Sequence, residues 1–327
     1  MASPGNNIVT AWSELATTTL RSQTKTVADN TSKHNALFRR LQEKGNNRVV
    51  NGGLTIVKAL DYQANSTYQR YTGYDVLNIN AVDVLTSAEY AWRQIAVNVA
   101  ASGLEIRSNS GENQIIPFTK AKIKNAQRSL ANGMSVDIYS DGTAANQING
   151  LQAIIADAGT GTVGTINSTT FPFWQNLVQS AAAPLQGGGA ITVSAATIES
   201  MMLTAWLKLT RGMDMPDMIV FSDDFFTFYE QSQTSLKRYA PKDDGQGGMI
   251  SMKYKTADVF FDSSGGIPAA HGYFINTEYL ELVAEEGANM TVMDQLKSVN
   301  QDAVVIPIIW QGNLACSCRF LQGVMKA

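Results

Sequence analysis

The chain has 327 residues, 44% of them hydrophobic and only 16% charged, with a formal net charge of −3. That length fits two domains of ~150 residues, and the charge balance excludes a nucleic-acid-binding polycation. No run of about 18 apolar residues offers a membrane span, and the opening MASPGNNIVTAWSE lacks the basic and apolar regions of a secretion signal. An average soluble chain has roughly 25% charged residues, so the shortage here fits either a large core or an exterior hidden against copies of itself. The charge is also uneven. Residues 1–50 carry seven Lys or Arg against Glu14, Asp29 and Glu43, a net +4 that leaves −7 on the remainder. Such an arm either binds nucleic acid or an acidic neighbour, or is a solvated tail.

Residues 1–47 read as an extended, Thr/Ser/Asn-rich arm with a short helix near Asn35–Lys44. From Val50 to Tyr90 apolar and polar residues alternate as in two strands of a long hairpin, studded with Tyr62, Tyr68, Tyr71 and Tyr74. An isolated ribbon is marginal in water and its edges invite pairing, so a second subunit is expected to cover it. Strand-like alternation continues through Ala88–Ala101. Residues Ile115–Tyr139 give the best helix, with Ile116, Ile123, Ala126, Leu130, Met134 and Ile138 at helical spacing. A loop-rich stretch, 140–190, ends at Gly187-Gly188-Gly189. Further helices are expected at Thr197–Arg211 and Asp223–Ser235, with a buried strand at Met218–Phe221 between them. Asp243–Gly248 reads as a loop. Short strands are expected at Val259–Phe261, Gly272–Ile275 and Glu278–Ala284, then a closing hairpin of Val304–Trp310 and Leu314–Cys318 around Gln311-Gly312-Asn313. Mixed runs of strands and helices favour an α+β fold over a doubly wound one.

Chemical motifs are few. Gly159-Thr160-Gly161-Thr162-Val163-Gly164 matches G-x-G-x-x-G, but a dinucleotide site needs a helix directly after the third glycine. Thr165–Thr170 is a poor helix former, and no acidic residue lies near position 184 for the ribose. Cys316 and Cys318 are two thiols where structural zinc wants four ligands, and the two histidines, His34 and His271, are distant in sequence. The pair reads as small buried hydrophobes of a chain made in a reducing compartment. His271 with Asp262, Ser263 and Ser264 leaves a Ser/His/Asp arrangement open, with a turn histidine as the plainer reading. No catalytic residue, cofactor or metal is expected.

A wider resemblance is carried by many short matches in order. They are Val50-Asn51-Gly52-Gly53-Leu54, Leu60-Asp61-Tyr62, Asn65–Tyr68, Tyr71–Tyr74, Ala88–Trp92, Gly150-Leu151, Gly159–Gly164, Pro172-Phe173-Trp174, Gly212–Asp217, Tyr229-Glu230, Asn300–Ala303 and Trp310–Asn313. Over residues 48–327 the chain resembles the major capsid proteins of tailed bacteriophages. The resemblance implies the Hong Kong 97-type fold: an arm at 1–47 and an extended loop at 48–90. It also implies a peripheral domain at 91–189 and 301–327, with its spine helix at 115–139, and an axial domain at 190–300. It further implies a structural virion subunit, assembled in the host bacterial cytoplasm into hexamers and pentamers of an icosahedral shell around double-stranded DNA. A portal and separate scaffolding or cement proteins are the implied partners, and no membrane.

The residues expected at subunit contacts are Arg39 and Arg40 of the arm and Tyr62, Tyr68, Arg70, Tyr71 and Tyr74 of the loop, since aromatics and Arg dominate interface hot spots. Some members of the family cross-link Lys to Asn between subunits. Lys58 lies in the corresponding hairpin, with no partner asparagine identifiable. A fused scaffolding segment of about a hundred residues does not fit a hairpin that starts near residue 50. An encapsulin-like compartment, which shares the fold, and a dinucleotide-dependent enzyme using Gly159–Gly164 are the competing readings.

Overall fold

The computed structural model describes residues 36–108, 118–233, 251–262, 265–294, 296–297 and 301–327. The arm before Ala36, the start of the spine helix at 115–117, residues 234–235, the Asp243–Gly248 loop, Ser263, Ser264 and Asn300 lie outside these. In chain order the described residues form α1 (Ala36–Glu43), β1 (Asn47–Val50), β2 (Ile56–Asp61), β3 (Leu85–Tyr90), β4 (Arg93–Ser102), α2 (Gly103–Ser108), α3 (Phe118–Asp137) and α4 (Leu151–Ile154). Then come β5 (Thr162–Val163), β6 (Ile166–Asn167), β7 (Leu177–Ser180), α5 (Ile198–Leu209), β8 (Met218–Phe221) and α6 (Asp223–Ser232). Strands complete the chain: β9 (Ser251–Tyr254), β10 (Ala257–Phe261), β11 (His271–Ile275), β12 (Leu280–Glu285), β13 (Thr291–Val292), β14 (Leu296–Lys297), β15 (Ala303–Cys316) and β16 (Gly323–Lys326). This is the expected α+β mixture. The described residues divide into two compact units, one drawn from Gln94–Met134 and Gly287–Gln311, the other from 36–93, Ser135–Glu286 and Gly312–Ala327.

The larger unit is organised on a sheet of order β7-β16-β11-β8-β10-β9. Central β8, Met-Ile-Val-Phe, is buried at all four positions, as a strand covered on both faces must be. It runs parallel to β10 and antiparallel to β11, with Val220 opposite Phe260 and Tyr273. Helices α5 and α6 share one core cluster with this sheet. Ile198, Met201, Met202, Ala205, Trp206 and Leu209 recur at three- and four-residue steps on α5, and Phe225, Phe226 and Tyr229 do so on α6. Their partners on the strands are Ile219, Phe221, Val259, Phe274 and Met325. The ring of Phe221 meets those of Phe225, Tyr229 and Phe274 edge-on at 6.2–6.3 Å, a geometry worth ~0.5–1.5 kcal/mol per pair beyond burial. Asp223 and Asp224 occupy the first turn of α6, where carboxylates favour the positive end of the helix.

In the smaller unit, β13 and β14 pair antiparallel with the first half of β15, Thr291 opposite Ile309 and Leu296 opposite Val305. The helix α3 buries Ala126, Leu130 and Met134 at four-residue steps, as its periodicity predicts. Lys122 of α3 donates to the carbonyl of Ala100 and pairs with Glu105, both at 3.3 Å.

Two expectations are corrected. The closing hairpin is one continuous strand, Ala303–Cys316. Gly312 does not take the left-handed backbone of a tight turn. It stays in the ladder opposite Ala284, with Asn313 opposite Val283. The side chain of Asn313 then ties three segments, accepting from Asn149 N–H at 2.8 Å and Leu314 N–H at 2.9 Å and donating to Ala91 O at 2.9 Å. The long Tyr-rich hairpin is also shorter than its alternation suggests. β2 and β3 pair only from Ile56 opposite Tyr90 to Asp61 opposite Leu85, extended by Tyr62 N–H to Val84 O.

Candidate assembly surface

Beyond that pairing, residues 62–84 form no strand, and their backbone is held by local side chains. Asn65 Oδ1 accepts from the N–H and hydroxyl of Thr67 at 2.9 and 2.8 Å, and Asp75 Oδ2 accepts from Thr72 N–H at 2.8 Å. Gln69 reaches across the loop, donating to Val76 O at 3.1 Å and accepting from Asn78 N–H at 3.3 Å. Short polar side chains that cap nearby backbone groups compete with a ladder. The apolar side chains are largely exposed. Tyr68 is 82% exposed, Tyr74 fully so, Val76 92% and Ile79 90%, with Tyr71 and Leu77 also exposed. Arg70 is exposed beside them. Tyr62 differs, because its ring packs on Phe173 at 5.6 Å.

The root of the loop is fixed tightly by contrast. Ile56, Lys58 and Leu60 of β2 and Ala88 and Tyr90 of β3 are buried. Tyr90 donates its hydroxyl to Cys316 O at 2.9 Å, and burial pushes the phenol well above its ordinary pKa. Trp92 Nε1 donates to Gly53 O at 2.9 Å. The buried ammonium of Lys58 pairs with Glu281 of its own chain, so this amine is committed within the subunit. Such a pair is costly to break from one side, because a buried charge is left uncompensated.

The glycine motif docks this root. Gly164 and Thr165 have φ of 59° and 67° and turn β5 back onto β6. A hairpin therefore stands where a dinucleotide site would need a helix. Gly164 O accepts from Glu89 N–H at 3.0 Å, and a Cβ on Gly164 would lie 2.8 Å from that of Ala88. Trp174 is buried beneath, its Nε1 donating to Val163 O at 2.9 Å. Phe171 nearby is 47% exposed and touches Phe173 edge-on.

Arg319, unremarked in the sequence, holds the same region from inside. Its buried guanidinium donates to Ile154 O at 2.5 Å, Trp174 O at 2.9 Å and Asn176 Oδ1 at 2.8 Å. All three acceptors are neutral, and burial pulls its pKa down. No local pattern marks such a residue, since its partners lie over 140 positions away.

The arm residues are placed on the body. Leu37 and Leu41 of α1 are fully buried. Arg39 pairs with Glu43 one turn on at 2.8 Å. Arg40 faces Asp258 at 3.4 Å and Asp217 at 4.0 Å, and Lys44 also pairs with Asp217. Asp217 in turn accepts from Thr277 N–H and hydroxyl at 2.8 and 2.6 Å.

Of the Ser/His/Asp arrangement, Ser263 and Ser264 lie outside the described residues, and His271 and Asp262 each have another partner. His271 Nε2 contacts Asp157 at 2.9 Å, whereas Asp262 accepts from the buried hydroxyl of Tyr139 at 2.6 Å. Cys316 and Cys318 are both free, and burial pushes the Cys316 thiol up to about 12. Among the described residues no group of three or more His, Cys, Asp or Glu is placed to hold a metal ion.

No family model matches this chain, and no curated protein matches it in sequence. Its fold, however, is matched over nearly its full length. A chain of the cyanophage A-1(L) capsid asymmetric unit superposes with a TM-score of 0.64 at 17% identity, covering 96% of this chain and 98% of that one. The capsid of Myoviridae phage XM1 gives 0.57 at 9% identity, covering 99% and 100%. The holo-SrpI encapsulin complex from Synechococcus elongatus gives 0.58 at 8%, covering 95% and 94%. The fold is thus a shell-protein fold. More particularly, this chain has the fold of tailed-phage capsid proteins, as its short sequence matches imply.

Proposed function

We propose that this chain is the major capsid subunit of a tailed bacteriophage. Hexamers and pentamers of it would close an icosahedral shell around double-stranded DNA, with a portal and separate scaffolding or cement proteins as partners. The carrying observation is the extended loop. Its root is locked into the body, while six large apolar side chains between Tyr68 and Ile79 stand in solvent. Exposed apolar surface of that extent marks a site of association, and Arg70 among the tyrosines suits an interface core. Tyr68, Arg70, Tyr71 and Tyr74 are the residues assigned to the neighbouring subunit. Tyr62 supports the loop from its own chain, and Arg40 and Lys44 act chiefly to seat α1 on the body. The domain division stays as the resemblance implies, with the loop at 48–90 and the axial domain at 190–300.

The direct test is negative-stain imaging and sedimentation of the purified chain, alone and with the structural proteins encoded beside it. Closed shells are expected. A monomer under both conditions at high concentration would overturn the assignment. The encapsulin likeness supports a second reading, a compartment for protein cargo. Nuclease-protected DNA inside particles from infected cells supports the phage shell, and a co-purifying cargo protein supports the compartment.

A further inference from the structure

A pocket opens at the surface of the larger unit, beside the start of α6. It encloses about 490 Å³ and is walled by Ala181, Ile191, Val193, Phe225 and Phe228, with Asp224 at its lip. Asp224 and its neighbour Asp223 are exposed. The volume falls within the ~300–1,000 Å³ of cavities that take a drug-sized ligand, so it has room for more than one aliphatic side chain. Elsewhere on the same unit, α5 buries one face and turns another outward. Leu203 and Leu207, four residues apart, are 42% and 62% exposed. Lys208 is exposed next to them, and Met213 just past the helix is 93% exposed. A surface helix of a monomer would place polar residues at 203 and 207. One surface is thus an apolar hollow with an acidic group at its rim and a second one residue away, and the other an apolar ridge with a basic group at its side.

We propose that the Leu203–Leu207 ridge of one copy of this chain enters the pocket beside α6 of the next copy, with Lys208 facing Asp223 and Asp224. This rests on the shell reading and adds a specific contact to it. Ridge and pocket share no residue, so a copy that inserts its ridge still offers its own pocket to a third. Repetition of such a directional contact yields rings where the rotation closes. Apolar burial would hold the contact, while the charges select its direction and register.

The test uses full-length chains carrying Cys318→Ser, so that the fully buried Cys316 is the remaining native thiol. Chains with Leu207→Cys are mixed with chains carrying Ile191→Cys, assembled and oxidised. Disulfide-linked dimers are expected in the mixture and not in either variant alone, and a chain bearing both changes should give a ladder of linked oligomers. Separately, Lys208→Glu should lower assembly yield at least tenfold, roughly what a like-charge contact costs, and Asp224→Lys in the same chain should restore most of it. Thermal unfolding of each variant separates misfolding from lost contact. Shells that form normally but give no heterotypic cross-link would overturn this contact and leave the shell reading intact. Cross-links of Leu207→Cys chains with themselves would replace it by a symmetric contact. A wild-type chain that forms no shells would remove both.

Discussion

Residues 62–84 and the sheet under α5 and α6 carry similar aromatic and aliphatic side chains and place them oppositely. Around Phe221 the rings of Phe225, Tyr229 and Phe274 are fully buried and meet edge-on. In the loop, Tyr68, Tyr71 and Tyr74 are exposed and stay in solvent. The difference is one of covering layer. The sheet has helices of its own chain on it, while the loop past Tyr62 and Val84 is left exposed by the described residues. The first region stabilises the subunit, and the second is the surface we propose for association.

The largest effect that sharpens this comparison comes from replacing residues 63–83 by Asn-Gly, a dipeptide suited to a two-residue hairpin. Calorimetry should show an unfolding transition close to that of the wild type, while electron microscopy shows no closed shells. A collapse of the transition would mean that the loop belongs to the fold after all. Next comes Trp174→Ala, which empties the space under the Gly164 turn and should cost ~3–5 kcal/mol of unfolding free energy. Tyr74→Ala should stay within ~0.5 kcal/mol of wild type, as surface changes do. Equal losses in denaturant titrations would erase the distinction between the regions.

The glycines sharpen it at the root. Gly161 has φ of 131° but open space around it, whereas Gly164 has positive φ and meets Ala88 and Tyr90. Gly164→Ala should therefore destabilise by ~1–3 kcal/mol more than Gly161→Ala, the range for overpacking. Comparison of their denaturation midpoints checks it, and the reverse order would place the root contact elsewhere.

The smallest effect near neutrality is alkaline sensitivity. Burial raises the folded-state pKa of Tyr90, Tyr139, Tyr229, Tyr273 and Cys316 above their ordinary values of 10.0 and 9.0. A raised folded pKa gives stability that is complete below the unfolded value and lost as pH climbs toward the folded one. The melting temperature should be flat through neutral pH and fall from about pH 9 upward, with loop variants such as Tyr74→Ala following the same curve. A fall that tracks the exposed loop tyrosines would contradict the assignment of these groups to the core.

The sequence by itself determined what depends on neighbours along the chain. Helical spacing marked the middle of α3, and α1, α5 and α6 were expected within a few residues of their bounds. A four-residue apolar run bounded by Pro216-Asp217 and Ser222 marked β8, and the absence of a helix former after Gly164 weakened the dinucleotide motif. Composition and the tyrosine cluster suggested a surface meant for another subunit. What only the tertiary structure decided depends on distant partners. β15 runs straight through Gly312 because β12 lies alongside it, and the alternation around residues 62–84 stops being a strand because no partner backbone outcompetes Asn65, Gln69 and Asp75. Lys58 was legible as a loop lysine, but its commitment to Glu281 is not, since 223 residues separate the two. Arg40 and Lys44 count as free positive charge in a linear tally and become an anchor only when folding brings up Asp217 and Asp258. Periodicity records which face of an element is apolar, and only the folded chain decides what that face meets.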